Sequence, residues 1–153
     1  MLQENINSSD PDETFAIGER LAGELRGGDV VLMRGGLGAG KTLLTKGIVH
    51  ALGYDVDEVT SPSFSLVNLY KTAEHNIYHI DLWRISEGSD AAFAVGLDEI
   101  LEDQQAIVII EWAERLGGKN LNARVFDIVI EGDGDDPRKI SITRPEQMTA
   151  KLV

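Results

Sequence analysis

The apolar residues of this chain fall into runs of two kinds, and the spacing within each run predicts the element it forms. Residues 29–33 (Asp-Val-Val-Leu-Met) and 106–112 (Ala-Ile-Val-Ile-Ile-Glu-Trp) are nearly continuous and rich in β-branched side chains, as strands buried on both faces are. Phe15, Ile17, Leu21 and Leu25 instead recur at the spacing of a helix with one buried side. Asp10 can cap that helix, Pro11 suits its first turn, Glu13 stands three residues after the cap, and Arg26-Gly27-Gly28 ends it. Leu43, Leu44, Ile48, Ala51 and Leu52 predict a second helix that stops at Gly53. Residues 89–101 predict a third, with Phe93, Leu97, Ile100 and Leu101 as its apolar positions and Gly96 as a point where it can break.

Two pairs of shorter runs read as antiparallel hairpins. Residues 65–71 and 76–82 are joined by only four residues, and 124–131 and 138–144 flank the turn Gly132-Asp133-Gly134-Asp135-Asp136-Pro137. The turn is acid-rich, but it lacks the twelve-residue spacing and terminal Glu of a calcium loop and reads as a solvated turn. Residues 1–9 read as an irregular leader or an edge strand, 53–58 as a polar connection, 113–123 as a loop, and the segment after Pro145 as a short tail, helical or irregular. Together these patterns predict an α/β fold: a single P-loop NTPase-like domain over residues 1–153, with a mixed central sheet that contains antiparallel hairpins and is flanked by helices.

Between the first buried run and the second helix stands Gly35-Gly36-Leu37-Gly38-Ala39-Gly40-Lys41-Thr42, which satisfies the P-loop pattern of Gly, four residues, then Gly-Lys-Thr. A polyphosphate concentrates negative charge in a small volume. It therefore needs a loop whose N–H groups turn inward and whose backbone can approach closely, and the four glycines within residues 35–40 allow that. The pattern makes Gly35, Gly38, Ala39, Gly40 and Leu43 backbone contacts to phosphate. Lys41 reaches the β and γ phosphates, and Thr42 is a ligand for Mg²⁺. The acid at the tip of the second buried run, Glu111, has the place of a Walker B carboxylate on magnesium or its water. Asp81, in His79-Ile80-Asp81-Leu82-Trp83-Arg84, lies at the C-terminal end of a predicted strand, where α/β sheets bind ligands. Hydroxyls at Thr60, Ser61 and Ser63, around Pro62, suit a loop that touches phosphate or metal-bound water. His75 and His79 have no third nitrogen ligand near them in sequence, so His79 reads as a strand residue rather than half of a metal site.

Composition narrows the function classes. The chain has 153 residues, 42% of them hydrophobic and 26% charged, which suits one globular domain. There is no run of membrane-spanning length and no signal-peptide pattern at Met1-Leu2-Gln3-Glu4-Asn5, so a soluble, cytoplasmic protein is expected. The absence of cysteine excludes disulfides and thiolate metal sites. Acidic residues outnumber basic ones 26 to 14, for a net charge of −12, which argues against unaided binding of nucleic acid.

With these segments in order, the chain resembles the TsaE family, also known as YjeE, P-loop ATPases of bacterial tRNA threonylcarbamoyladenosine biosynthesis. The resemblance spans roughly residues 12–130. It rests on the P-loop, Ala51-Leu52-Gly53, Thr60-Ser61-Pro62-Ser63-Phe64, His79-Ile80-Asp81-Leu82-Trp83-Arg84 and Ile110-Glu111-Trp112. Three positions depart from the family's usual residues: Gly36 for Asp, Ser63 for Thr and Trp83 for Tyr. The resemblance implies ATP and Mg²⁺ as cofactors, with Asp81 as a second essential carboxylate that orients the attacking water or the metal's water shell. It implies that Thr60 and Ser63 sense the γ phosphate on a switch-like loop, and that Trp112 packs near the nucleotide or a partner. Lys41, Asp81 and Glu111 are then the catalytic set. Hydrolysis would reset a complex of the threonylcarbamoyl transferase and its paralogous scaffold, proteins of the TsaD and TsaB type, with tRNA met only indirectly and no membrane involved.

The residues alone leave rivals open. A small-molecule kinase shares the P-loop, but no segment clusters the arginines of a closing lid. A GTPase would need an Asn-Lys-X-Asp pattern that is absent. A nucleotide-binding regulatory subunit that does not turn over would need no more than the glycine loop.

Overall fold

In the computed structural model, residues 3–36, 38–60, 66–86, 89–118 and 120–145 are described. They form one seven-stranded mixed sheet with helices on both faces. The strands are β1 (Gln3–Ser8), β2 (Asp29–Arg34), β3 (Val67–Lys71), β4 (Asn76–Asp81), β5 (Ile107–Glu111), β6 (Arg124–Glu131) and β7 (Arg138–Thr143). The helices are α1 (Pro11–Ala22), α2 (Lys41–Ala51), α3 (Ala91–Val95) and α4 (Leu97–Leu101), with 3₁₀ turns at Val56–Glu58 and Ala113–Leu116. The sheet order is β1-β7-β6-β2-β5-β4-β3. Strand β2 is parallel to both of its neighbours, β5 and β6, and β5 is parallel to β4. The outer pairs β3–β4, β6–β7 and β1–β7 are antiparallel. Both predicted hairpins are therefore present, one on each side of a parallel centre.

The two sheet faces have separate cores. Val31, Met33, Ile77, Ile109, Phe126 and Ile128 pack under α1 and α2, while Val30, Leu32, Ile80, Val108 and Ile110 pack under α3, α4 and the segment that follows β5. Helices α1 and α2 meet backbone to backbone. A Cβ on Gly18 would stand 2.3 Å from the Leu44 carbonyl oxygen, and one on Gly47 would stand 2.1 Å from that of Phe15. This close approach seats α2, and the loop that precedes it, on the sheet.

Of the two readings of the N-terminal segment the edge strand holds: residues 3–8 form β1, paired with β7 in the register Gln3↔Thr143. Other expectations need correction. Helix α1 ends at Ala22 rather than at Arg26-Gly27-Gly28, because the chain beyond it closes three-residue turns, Glu24 N–H to Leu21 O and Leu25 N–H to Ala22 O, and Leu25 reaches the core from that connection. Ala51 is exposed, and Val49 takes its place in the buried face of α2. Residues 89–101 form two short helices, broken at Gly96, whose left-handed conformation (φ 67°) reorients the chain. Phe93, read as a core position, is 85% exposed because the break turns its side of α3 outward. The tail from residue 146 lies outside the described residues.

Candidate functional site

The start of α1 follows its sequence: Asp10 Oδ1 accepts the Glu13 N–H at 2.9 Å, and Glu13 Oε2 accepts the Ser9 N–H at 2.8 Å. Strand β2, centred in the sheet, delivers the chain into the glycine loop, and α2 leaves from it. Gly38 (φ 79°) and Gly40 (φ 109°) have left-handed backbones that would strain any other residue. Gly40, at the N-cap of α2, adds no side-chain hydrogen bond to the first turn of the helix. Lys41 is 5% exposed, and its Nζ donates to the carbonyls of Gly35 at 2.6 Å and Gly36 at 2.9 Å. The Lys41 ammonium also lies 4.3 Å from the ring centroid of Trp112. Burial lowers the Lys41 pKa, against the opposing pull of Glu111, Glu114 and Asp81.

On one flank of the loop stand the two acids. Parallel pairing of β4 and β5 puts Asp81 opposite Glu111 in register, on the sheet face that α2 covers. The Thr42 hydroxyl donates to Glu111, 3.1 Å from Oε1 and 3.3 Å from Oε2. Asp81 Oδ1 accepts the Trp83 N–H at 2.9 Å. Its carboxyl is held above the usual carboxylate range, first by burial and then by the charge of Glu111, with the Trp83 hydrogen bond acting against both. A hydroxyl and two carboxylates form an oxygen-only donor set, which suits a hard cation such as Mg²⁺. Among the described residues no three acidic or imidazole side chains make a cage that would hold a metal by themselves. That pattern fits an ion shared with a ligand's phosphates.

On the other flank is a cleft of about 360 Å³, bounded by Ser9, Asp10, Thr14, Gly40, Leu43 and Arg138. Arg138, from the start of β7, donates to Ala39 O at 3.0 Å, Gly38 O at 3.3 Å, Gly134 O at 3.1 Å and Asp136 O at 2.5 Å. The acid-rich turn is thereby tied to the glycine loop. Neither the cleft nor Arg138 is evident in the sequence, because these contacts span about 100 residues.

The structure thus brings together Gly35, Gly38, Ala39, Gly40, Lys41, Thr42, Asp81, Glu111 and Trp112, with Leu43 on the cleft side. Thr60 is exposed, and its carbonyl lies 3.1 Å from both Asn68 Nδ2 and the Tyr70 hydroxyl. Ser63 lies outside the described residues. Sequence reading took His79 for a plain strand residue, yet it is fully buried and its Nε2 lies 2.5 Å from Glu111 Oε2. The two-residue period of a strand, which puts His79 on the same face as Asp81, was the available signal.

A family model described as "Threonylcarbamoyl adenosine biosynthesis protein TsaE" matches residues 8–140. The chain belongs to the TsaE family. It is 36% identical over 143 residues to the tRNA threonylcarbamoyladenosine biosynthesis protein TsaE of Bacillus subtilis, covering 94% of this chain and 87% of that one. It is 34% identical over 147 residues to the TsaE protein of Aquifex aeolicus, covering 94% and 98%. Among solved structures, Bacillus subtilis YdiB superposes with a TM-score of 0.74 at 33% identity, covering 98% of this chain and 90% of that one. For a TsaE-family chain, Gly36 in place of the expected Asp is sterically open, since a Cβ there would meet nothing within 4 Å. No helix among the described residues is long and apolar enough to cross a membrane.

Proposed function

We propose that this TsaE-family protein is a Mg²⁺-dependent ATPase of tRNA threonylcarbamoyladenosine biosynthesis. In this reading its hydrolysis resets a cytoplasmic complex of a threonylcarbamoyl transferase and its paralogous scaffold, of the TsaD and TsaB type. The observation that carries the reading is the convergence of Thr42, Glu111 and Lys41 at the end of β2, with Asp81 opposite Glu111 in register.

In this reading the triphosphate lies along the glycine loop, and its nucleoside end enters the cleft between Leu43 and Arg138. Lys41 exchanges the carbonyls of Gly35 and Gly36 for phosphate oxygens, a swap of neutral acceptors for charged ones that strengthens each bond. Thr42 and Glu111 would hold Mg²⁺, and the bound ion would supply positive charge against the negative charge that develops on the phosphates. Asp81 aligns the attacking water. Its raised pKa makes it a better proton acceptor than an exposed aspartate. Water adds to the γ phosphorus, the bond to the bridging oxygen breaks, and ADP and inorganic phosphate leave. The net charge of −12 favours contact with tRNA through partners rather than directly.

Phosphate release by the purified chain, alone and with the transferase and scaffold, tests the proposal. Release that rises with the partners and disappears in Glu111→Ala is expected. If the complete complex releases none, the chain is a non-hydrolysing binding subunit. If phosphate appears on an added metabolite, it is a kinase.

A further inference from the structure

The buried imidazole of His79 has no role in the reading above. Its Nε2 lies 2.5 Å from Glu111 Oε2, and its Nδ1 lies 3.1 Å from the hydroxyl of Tyr70. The Tyr70 oxygen is also 3.1 Å from the Thr60 carbonyl, and Asn68 Nδ2 lies 3.1 Å from that carbonyl and 3.2 Å from Tyr70. Counting hydrogens orders the chain. A carboxylate can only accept, so the hydrogen between His79 and Glu111 belongs to Nε2. A neutral imidazole accepts the single hydroxyl hydrogen of Tyr70 at Nδ1, whereas a charged one donates from Nδ1 to the Tyr70 oxygen and leaves that hydrogen for the Thr60 carbonyl; in both orderings Nε2 donates to Glu111. The two hydrogens of the Asn68 amide then serve the Tyr70 oxygen and the Thr60 carbonyl, and every group in the chain has a partner.

We propose that His79 is the positioning residue of the acid flank. Through Nε2 it aims the Glu111 carboxylate at Thr42, and through Tyr70 and Asn68 it anchors that carboxylate to the backbone at Thr60. Glu111 is 2% exposed, so no water shell can orient it, and among the described residues Thr42 and His79 are the side chains hydrogen-bonded to it. Thr42 sits on α2 and would give its lone pairs to a metal. His79, fixed on β4, is the partner that stays in place when Thr42 changes its bond.

The inference rests on the reading of Thr42 and Glu111 as magnesium-holding residues, and the test separates the two. Calorimetry measures the affinity for a non-hydrolysable ATP analogue with Mg²⁺ and with chelator, and the ratio is the increment due to the metal. Melting temperatures of the same nucleotide-free samples give a readout independent of loading. Partners that orient a metal-holding carboxylate are worth about 10–100-fold in metal affinity. His79→Leu is therefore expected to cut the increment at least tenfold and Tyr70→Phe about fivefold, the worth of one neutral hydrogen bond. Metal-free affinity should stay near wild type in both. His79→Gln, whose amide can still donate to Glu111, should recover part of the loss, and with Tyr70→Phe it decides the matter if His79→Leu does not fold. If these variants keep the full increment while Glu111→Gln loses it, the role of His79 is refuted and the reading of Glu111 stands. If Glu111→Gln also keeps it, both fall. If metal-free and metal-bound affinities drop together with the melting temperature, His79 is a structural residue and the proposal is wrong.

Discussion

The two flanks of the glycine loop are built in opposite ways. On the acid flank, buried side chains from β4 and β5 and a half-buried one from α2 are bonded to one another, so each of these groups depends on a partner about 30 or more residues away. On the cleft flank, one guanidinium, that of Arg138, is bonded to backbone carbonyls and borders open space. Buried side-chain networks fix geometry closely but fail as a unit when one member is lost. A cation on backbone carbonyls braces a loop without fixing any particular side chain. The contrast suits the proposed reaction, in which one end of the ligand is held tightly and the other enters and leaves.

Breaking the acid flank should have the largest effect. Asp81→Ala or Glu111→Ala should lower hydrolysis in the assembled complex on the order of 10²-fold or more, as loss of a positioned acid or base does. Nucleotide binding without metal should persist. Normal turnover in both variants, measured as phosphate release, would show that these strand ends are not the reaction centre. Lys41→Ala, at the junction of the flanks, should weaken triphosphate binding on the order of 10²-fold by calorimetry, the cost of removing one side of a buried charge pair.

Effects on the cleft flank should be smaller and should appear as stability. Arg138→Ala leaves the Ala39 and Gly38 carbonyls without their cation and should cost about 1–3 kcal/mol in denaturant unfolding. An unchanged midpoint would mean that the turn does not brace the loop.

The pH dependence of stability sharpens the comparison further. Because the folded Asp81 carboxyl lies above its ordinary value, the folded chain holds that proton more tightly than the unfolded chain does. Its contribution to stability is full below the usual carboxylate range and is lost as pH rises through the folded value. The melting temperature of Asp81→Asn should therefore exceed that of wild type, by a margin that widens as pH rises from acid to neutral. A margin that is constant with pH would mean that burial does not perturb this group. The smallest effect belongs to Gly36→Asp, where open space predicts a stability change within about 0.5 kcal/mol.

How much of this was legible in the sequence follows from sequence distance. The glycine loop, the cap at Asp10 and both hairpins are local, and their residues stand within a few positions of one another, so spacing alone revealed them. Glu111 was readable as the tip of an apolar strand, but not its bond to His79, because that depends on which strands become neighbours and in what register. Arg138 was hidden for the same reason. Phe93 was misread because periodicity was carried through Gly96, where the chain changes direction. The aspartate expected at residue 36 from the family resemblance has no counterpart in any contact of the fold, so its absence leaves the loop's backbone intact.

The pairing of β1 with β7 has a consequence for the order in which the protein can be completed during synthesis. Strand β1 is made before the other described strands, yet its partner in the sheet is β7, the last of them. Ser9 and Asp10, which border the cleft, follow directly from that strand, and Arg138 lies within its partner. A nascent chain can therefore assemble β2, α2, β4 and β5, with the loop and both acids, before it has a cleft. Because closing the longest loop in the described sheet comes last and is slow, the cleft flank forms only after β7 has been made.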